Sequence, residues 1–215
     1  MAIQKTDAIL LKKKDLRETS LILTFFTKDF GKIKGVMKGV RGSRARGNVK
    51  SLFFSLDQIV YYEKEKKDLF TISQCEPQEV FLNILRYWDR ARYGYYILEI
   101  MDVFTEQGGG DSSEIFKHLL NSLVYIDKGK EAKAIARIFE IKFLMSLGLW
   151  PGADNCNLSK GARATLTCFE NESWQNCSKI KLTKDVGEEI GKITETAIND
   201  NLDRPLKTIK IFKDQ

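Results

Sequence analysis

The sequence predicts an α+β fold in which a small antiparallel barrel of five strands precedes an all-α domain. Five short β-rich runs fill the first 75 residues, and after Pro77 the apolar residues recur every three or four positions. The charge follows the same division, because the whole net charge of +6 lies in residues 1–80, which hold 16 Lys and Arg against 10 Asp and Glu. We therefore expect a barrel domain over residues 1–77 and a helical domain over residues 78–215.

The five predicted strands are each bounded by Gly, Asp, Lys or Ser, which favour turns. They are TDAILLKKK, TSLILTFFT, GKIKGVMKG, SLDQIVYYE and LFTISQC. Between the second and third strands, the run KDFGK predicts a tight turn in which Gly31 takes a positive φ. Residues 39–51 contain three glycines and have little strand character, so we expect a long loop between the third and fourth strands.

The helical domain shows helical periodicity in three places. From residue 81 the pattern predicts one amphipathic helix of nearly eight turns, with an apolar stripe of Phe81, Ile84, Leu85, Trp88, Ala91, Tyr95, Leu98 and Met101. The run GGGDSSE ends it, and Asp111 or Ser112 caps the next helix. The wide apolar stripe of residues 131–147 predicts a deeply packed helix that stops at Gly148.

An irregular insert is predicted over residues 151–180, where Cys, Gly, Asn and Ser are scattered without a period. Helical spacing returns in TKDVGEEIGKITETAIND. The apolar run at Ala8–Leu11 is too short for a signal-peptide core, and no stretch approaches the roughly 20 apolar residues of a membrane span. These features predict a cytoplasmic protein with reduced cysteines.

A concentration of positive charge marks residues 31–50, GKIKGVMKGVRGSRARGNVK, which carry seven cations and no anion. Period two places the side chains of Lys32, Lys34 and Lys38 on one face of the third strand. The following loop adds Arg41, Arg44, Arg46 and Lys50. Such a track of cations suits a phosphate backbone. A solvated basic loop without a partner is the competing interpretation.

Aromatic side chains of the barrel supply the second requirement of single-strand binding, a stacking surface. The candidates form three adjacent pairs: Phe25 and Phe26, Phe53 and Phe54, and Tyr61 and Tyr62. Neighbours on a strand point to opposite faces, so we expect one member of each pair in the core and the other exposed.

Three segments in order resemble the RecO family of bacterial recombination-mediator proteins. They are ETSLILTFFTKDFGKIKGVMKGVRGSRAR at residues 18–46, ARIFEIKFLMSLGLWP at residues 136–151 and RPLKTIKIF at residues 204–212. The resemblance runs almost the full length of the chain. It implies that the barrel is of the oligonucleotide-binding type and that the protein, in a bacterial nucleoid, serves recombinational DNA repair without catalysis.

The resemblance also implies partners. Members of the family bind single- and double-stranded DNA, anneal complementary strands, and work with RecR to help RecA displace single-stranded-DNA-binding protein. The helical domain is expected to hold a pocket for the acidic C-terminal tail of that protein, with Arg137 and Lys142 as candidate cations. An internal pairing of Arg137 with Glu140 is the alternative.

Many members of the family carry a C-x-x-C…C-x-x-C zinc site in the insert. Here the insert offers Cys156, Cys168 and Cys177, with Ser159 and Ile180 at the positions of the missing thiols. The single histidine, His118, belongs to another predicted helix. We therefore expect a degenerate zinc-finger-like insert without a metal, and no cofactor.

Two function classes remain open at this point. The first is the non-enzymatic DNA-binding mediator, and the second is a helical adaptor whose basic barrel binds structured RNA or an acidic protein surface. The sequence does not match the motifs of serine hydrolases or thiol proteases, because no histidine is placed to serve as a base. A nuclease would need clustered carboxylates for metal ions, whereas the acids of the barrel are scattered among lysines. No amphipathic or lipidation signal points to a membrane.

Overall fold

A computed structural model describes residues 2–16, 18–40, 53–63, 69–108, 112–202 and 204–208. It confirms the α+β class, since five strands precede the helices. The strands are β1 (Ala2–Leu16), β2 (Ser20–Thr27), β3 (Gly31–Met37), β4 (Ser55–Glu63) and β5 (Phe70–Val80). Strand β5 passes through Pro77 and ends five residues later than expected. No helix in these ranges has the length and apolar character needed to cross a bilayer.

The strands pair in the order β1-β2-β3-β5-β4, and β4 pairs back with β1, so that the sheet closes into a barrel. Among the strands in these ranges, β3 and β5 pair in parallel and the other pairs are antiparallel. Gly31 has φ of +65°, as expected for the turn between β2 and β3. The core inside the barrel consists largely of aliphatic and aromatic side chains from all five strands, among them Leu10, Leu23, Phe25, Ile59 and Ile72.

Alternation along β3 sets the inner and outer faces of the sheet at this point. Ile33 and Met37 are buried, whereas Lys34 is exposed. Gly35 lies between them on the inner face, where a Cβ atom would come within 2.6 Å of Ile72 Cγ1 on the neighbouring β5. A side chain at residue 35 would therefore collide with the partner strand, and glycine permits the close approach.

The helices are α1 (Leu82–Arg86), α2 (Trp88–Phe104), α3 (Ser113–Asp127), α4 (Ala132–Ser146), α5 (Lys160–Asn171), α6 (Trp174–Cys177) and α7 (Lys184–Asn199). The single long helix expected from residue 81 is broken at Tyr87, whose carbonyl accepts hydrogen bonds from the amides of Arg90 and Ala91. Leu85 and Trp88, assigned to the apolar stripe, are exposed. That assignment was wrong because a periodic pattern does not reveal a break.

The chain forms two compact units, and the division between them differs from the domain boundary expected between residues 77 and 78. The first comprises Met1–Leu82 and Leu98–Leu120, and the second comprises Asn83–Ile97 and Asn121–Gln215. In the first unit, Ser112 Oγ accepts a hydrogen bond from the Gly31 amide at 3.0 Å and donates to the Thr27 carbonyl at 2.8 Å. Ser112, one of the two expected caps of α3, thus joins the β2–β3 turn, while Asp111 lies outside the described residues.

Helix α4 is the most deeply buried helix of the second unit, as its apolar stripe predicts. Its C-terminus closes with Gly148 at φ of +70°, where the Leu149 amide donates to Leu144 O and the Gly148 amide to Met145 O. This pair of bonds is the Schellman arrangement that glycine favours. The prediction that the helix stops at Gly148 is confirmed.

The segment 151–180, expected to be irregular, contains regular elements. A 3-10 helix spans Ala153–Asn155 and is followed by α5 and α6. Ser159 begins α5, because its Oγ accepts a hydrogen bond from the Ala162 amide at 3.3 Å. Cys168 therefore lies within a helix and not in an irregular segment, so the prediction of an irregular insert was wrong here. The β-branched threonines of ATLT favoured a strand locally, but the N-cap and the packing of Leu166 and Phe169 select a helix.

Candidate nucleic-acid interface

The three lysines predicted on β3 have different surroundings. Lys34 and Lys38 are exposed, whereas Lys32 is half-buried. The Lys32 Nζ donates a hydrogen bond to the Asp102 backbone carbonyl at 2.8 Å and lies 3.8 Å from the Asp102 carboxylate. Lys32 is thus held by the end of α2, and reaching a phosphate would require breaking these contacts.

The sheet register adds cations from β1 to the lysines predicted on β3. Lys12 pairs with Thr24, and Thr24 pairs with Lys34, so these three residues form one row across β1, β2 and β3. Residues in one row of a sheet share a face. Lys12 and Lys34 therefore lie on the same outer surface, and the exposed Lys14 lies two residues along β1 on the same face.

We call Lys12, Lys14, Lys34 and Lys38 the cationic sheet face. Asp102 reduces the positive charge of this face on one side. The Asp102 carboxylate lies 3.8 Å from Lys12 Nζ and also 3.8 Å from Lys32 Nζ. The Lys12 side chain is nevertheless 57% exposed, so this contact is a weak surface ion pair. The triple lysine run LLKKKD was the available signal for these residues, but pairing between strands is needed to place it beside Lys34.

The remaining predicted cations, Arg41, Arg44, Arg46 and Lys50, lie outside the described residues. Their contact with phosphates stays a prediction. The described segment that precedes them contains the exposed Lys38, which directly follows β3, and ends at Val40, whose amide donates to the carbonyl of Thr19, the residue before β2, at 2.9 Å.

The aromatic pairs of the barrel only partly follow the predicted alternation. Phe25 and Phe26 are both buried, which contradicts the expectation that one of them is exposed. Tyr61 is also buried, stacked on Phe70 with ring centroids 5.3 Å apart. The partly exposed members are Phe53 and Tyr62. Stacking surfaces on the described barrel are therefore fewer than the sequence suggested.

In the second unit, Arg137 of α4 lies in a buried network of charges. Its Nη1 donates to Glu140 Oε2 at 2.7 Å and to Thr194 Oγ1 at 2.8 Å. Glu140 is fully buried and also accepts a hydrogen bond from Tyr96 Oη at 2.7 Å. The alternative in which Arg137 pairs internally with Glu140 is thus confirmed.

The electrostatics of this network favour the charged pair. Burial alone lowers the pKa of Arg137, but the Glu140 carboxylate and its acidic neighbours outweigh it, and the pKa is raised above the ordinary value. Burial, followed by the Glu140 carboxylate, raises the pKa of Tyr96 well above its ordinary value. Tyr96 therefore remains a neutral donor to Glu140.

Arg137 also borders a cleft of about 270 Å³ between α4 and α7. The cleft is lined by Lys133, Arg137, Gly187, Glu188, Gly191, Lys192 and Glu195. The buried Arg137 Nε has no hydrogen-bond partner among the described residues. Lys142, the second predicted cation, is not part of this lining; its Nζ donates to the Glu172 carbonyl at 2.9 Å. The structure does not bring the two predicted peptide-binding residues to one cleft.

The cysteines of the segment 151–180 do not form a donor set suited to zinc. The Cys177 thiol is fully buried, and burial raises its pKa to about 11. Ser159, at the position of a missing thiol, caps α5 and donates to Glu189 Oε2 at 2.7 Å. In the described ranges, no three His, Cys, Asp or Glu side chains are grouped to hold a metal ion.

Comparison with known proteins gives matches along most of the chain. A family model described as Recombination protein O N terminal matches residues 1–81, and one described as Recombination protein O C terminal matches residues 86–160. A DNA repair protein RecO of Caldicellulosiruptor bescii is 28% identical over 226 residues, covering 98% of this chain and 91% of that protein. One of Clostridium kluyveri is 27% identical over 99% of this chain and 94% of its own length. Another, of Pelotomaculum thermopropionicum, is 32% identical over 76% of this chain and 62% of its own length.

Proposed function

The chain belongs to the RecO family of DNA repair proteins, and from this membership and the cationic sheet face we propose that it is a recombination mediator. In this role the barrel, which we assign to the oligonucleotide-binding type, binds single- and double-stranded DNA and anneals complementary strands. With RecR, the protein helps RecA replace single-stranded-DNA-binding protein on the strand. Its place is the bacterial cytoplasm, at the nucleoid.

The observation that carries this proposal is the row from Lys12 through Thr24 to Lys34. Two complementary strands are both polyanions, so their approach is opposed by repulsion between phosphates. Exposed ammonium groups spaced along a sheet surface replace the counterions of the backbone and screen this repulsion. Annealing by such screening needs no nucleophile, no metal and no cofactor, and we propose that the protein acts without catalysis.

The cleft beside Arg137 is the proposed site for the C-terminal tail of single-stranded-DNA-binding protein. Support comes from the buried guanidinium, whose Nε has no partner in the described part of the chain, and from Lys133 and Lys192 at the same cleft. A terminal carboxylate needs such donors. Glu188 and Glu195 line the cleft too, so we assign the carboxylate to the Lys133 and Arg137 side. Lys142 is left out of this proposed site, because it bonds within the unit.

An annealing assay on complementary strands coated with single-stranded-DNA-binding protein tests the proposed function. We expect the protein to accelerate pairing, and we expect the double substitution Lys12→Glu with Lys34→Glu to remove most of the acceleration. The matched control is Lys181→Glu with Lys184→Glu, which makes the same change of charge at exposed lysines of the second unit. Equal loss in both variants, or no acceleration by the unmodified protein, would favour the adaptor alternative.

A further inference from the structure

Five consecutive exposed residues, 85–89, lie in the second unit at the break between α1 and α2. Leu85 is 44% exposed, Tyr87 54% and Trp88 63%, although Ile84 and Ala91 on either side are buried. Leu85 and Trp88 are residues that the helical periodicity had placed in the core, whereas Tyr87 was not part of the predicted stripe. Their position outside the core suggests that they have a binding role rather than a packing role.

Hydrogen bonds hold this break in a fixed shape. Asp127 Oδ1 accepts from the amides of Asn83 at 2.7 Å and Ile84 at 3.3 Å, which caps the start of α1. The Arg90 guanidinium lies 4.5 Å from the centre of the Tyr87 ring and donates to the Asp127 carbonyl at 3.3 Å. One face of the Tyr87 ring is therefore covered by a cation, and the ring is positioned before any ligand arrives.

The charges around these rings are mostly positive. Arg86, Lys128 and Lys130 are exposed, and the turn at Gly129 between the two lysines packs against Arg90. The neighbouring carboxylates are engaged locally. Asp89 pairs with Arg92 at 2.8 Å, and the Asp127 carboxylate bonds to the amides that begin α1. The Tyr87 ring thus lies against the Arg90 cation, and Asp89 and Asp127 both have partners of their own. The exposed carboxylate of Glu131 follows Lys130 in the chain.

We propose that these residues form a second single-strand-binding surface, outside the barrel, which stacks the bases of a DNA strand. We call Arg86, Tyr87, Trp88, Lys128 and Lys130 the aromatic platform. Flat aromatic faces bind bases of any sequence, and the surrounding cations bind the phosphates between them. Two aliphatic side chains of α1, Leu82 and Leu85, are exposed beside the rings. The cations that accompany the rings, Arg86 in the same run and Arg90 on the face of Tyr87, favour nucleic acid over an apolar protein partner. The proposal rests on the proposed function and extends it to a second strand contact.

The surface has a use in annealing that the cationic sheet face alone does not supply. Screening by lysines brings two strands together but leaves their bases stacked on one another and unoriented. Stacking on Trp88 and Tyr87 holds individual bases apart from their neighbours in the strand, with their pairing edges accessible. The aromatic platform therefore acts on the bases, whereas the cationic sheet face acts on the backbone.

Intrinsic tryptophan fluorescence of the full chain tests the proposal, because Trp88 is the most exposed of the three tryptophans. Trp174 is 8% exposed, and the indole N–H of Trp150 donates to Glu170. Binding of a thymidine oligonucleotide, followed independently by the anisotropy of a label on the DNA, should quench the emission. An abasic strand of the same length should bind without quenching. Replacing Trp150 by Phe should leave the quenching in place.

Substitution of Trp88 separates stacking from electrostatics. We expect Trp88→Ala to abolish the quenching and to weaken affinity for the thymidine strand about tenfold, the loss of one stacked base. Trp88→Phe should retain most of the affinity. The slope of log affinity against log salt should stay unchanged in both variants, because no charge is removed. Trp88 is exposed, so neither change should unfold the chain.

Three results would overturn the aromatic platform. DNA binding seen by anisotropy without any change in Trp88 emission would contradict the proposed role of the aromatic platform but not the proposed function. If neither readout showed DNA binding, both proposals would be contradicted. Stronger quenching by an Asp- and Phe-rich peptide than by the oligonucleotide would reassign the surface to a protein partner.

Discussion

Arg137 and Glu140 are buried together, and each neutralises the other inside the second unit. Removing the Arg137 guanidinium would leave the fully buried Glu140 carboxylate without its main counter-charge. Breaking a buried pair from one side costs about 3–5 kcal/mol. We therefore expect Arg137→Ala to lower the free energy of unfolding by about 3 kcal/mol or more, measured by urea denaturation.

Glu195 provides the control for this substitution. It lies 3.3 Å from the Arg137 Nη2, but its side chain is 56% exposed, so water already screens the contact. Glu195→Gln should change the free energy of unfolding by less than about 1 kcal/mol. If both substitutions had equally small effects, Arg137 would not be the buried partner described above.

Cys177 provides a second test at the scale of single residues. Burial raises the pKa of its thiol to about 11, so the reactive thiolate is scarce at pH 8 and becomes abundant only as the pH approaches 11. We expect iodoacetamide at pH 8 to modify Cys156 and Cys168, which are partly exposed, well before Cys177. Mass spectrometry of the alkylated peptides measures the order.

Unfolding the chain in urea is the control, because it should remove the difference in the rate at which the cysteines react with iodoacetamide. Rapid modification of Cys177 in the folded chain would contradict its burial. It would also reopen the possibility of a thiolate site for zinc in this segment, where Ser159 caps α5 at the position of a missing thiol.

At the scale of elements, the contact between β3 and β5 depends on Gly35. An added Cβ atom would meet Ile72 Cγ1 at 2.6 Å, a distance that requires the Ile72 side chain or the strand that carries it to shift. Gly35→Ala should therefore destabilise the chain by about 1–3 kcal/mol, as overpacked cores do. Chemical denaturation followed by circular dichroism measures the loss.

The same substitution at Gly161 serves as its control. Gly161 lies in the first turn of α5, where an added Cβ atom would contact Val186 Cγ2 at 3.4 Å. Alanine favours the helix at such a position. Gly161→Ala should be neutral or slightly stabilising, and a loss equal to that of Gly35→Ala would show that the β3–β5 contact is not the cause.

The sequence predicted those elements whose period is strong. Strands β2, β3 and β4 and helix α4 lie where alternation and apolar spacing placed them, within about two residues. The break at Tyr87 was missed because Leu85 and Trp88 fit the helical stripe, and only the backbone shows that α2 begins anew. Helix α5 was missed because its threonines resemble a strand, whereas its cap at Ser159 acts through a hydrogen bond.

At the scale of the whole molecule, the family could be identified from ordered motifs, but the binding surface could be identified only in part. Lys34 and Lys38 are exposed as the alternation predicts. Lys32 is bonded to Asp102, a residue 70 positions away that no local pattern connects to it. Lys12 joins the surface only through the pairing of β1, β2 and β3, which a sequence alone does not specify.

The salt dependence of single-strand binding tests the central claim, that the cationic sheet face neutralises the DNA backbone. For a single strand, each phosphate contact adds about 0.7 to the slope of log affinity against log salt. Replacing Lys12 and Lys34 together by Gln should therefore reduce the magnitude of the slope by about 1.4, while the Lys181→Gln and Lys184→Gln control leaves it unchanged. An unaltered slope in the first variant would show that the DNA backbone binds elsewhere on the protein.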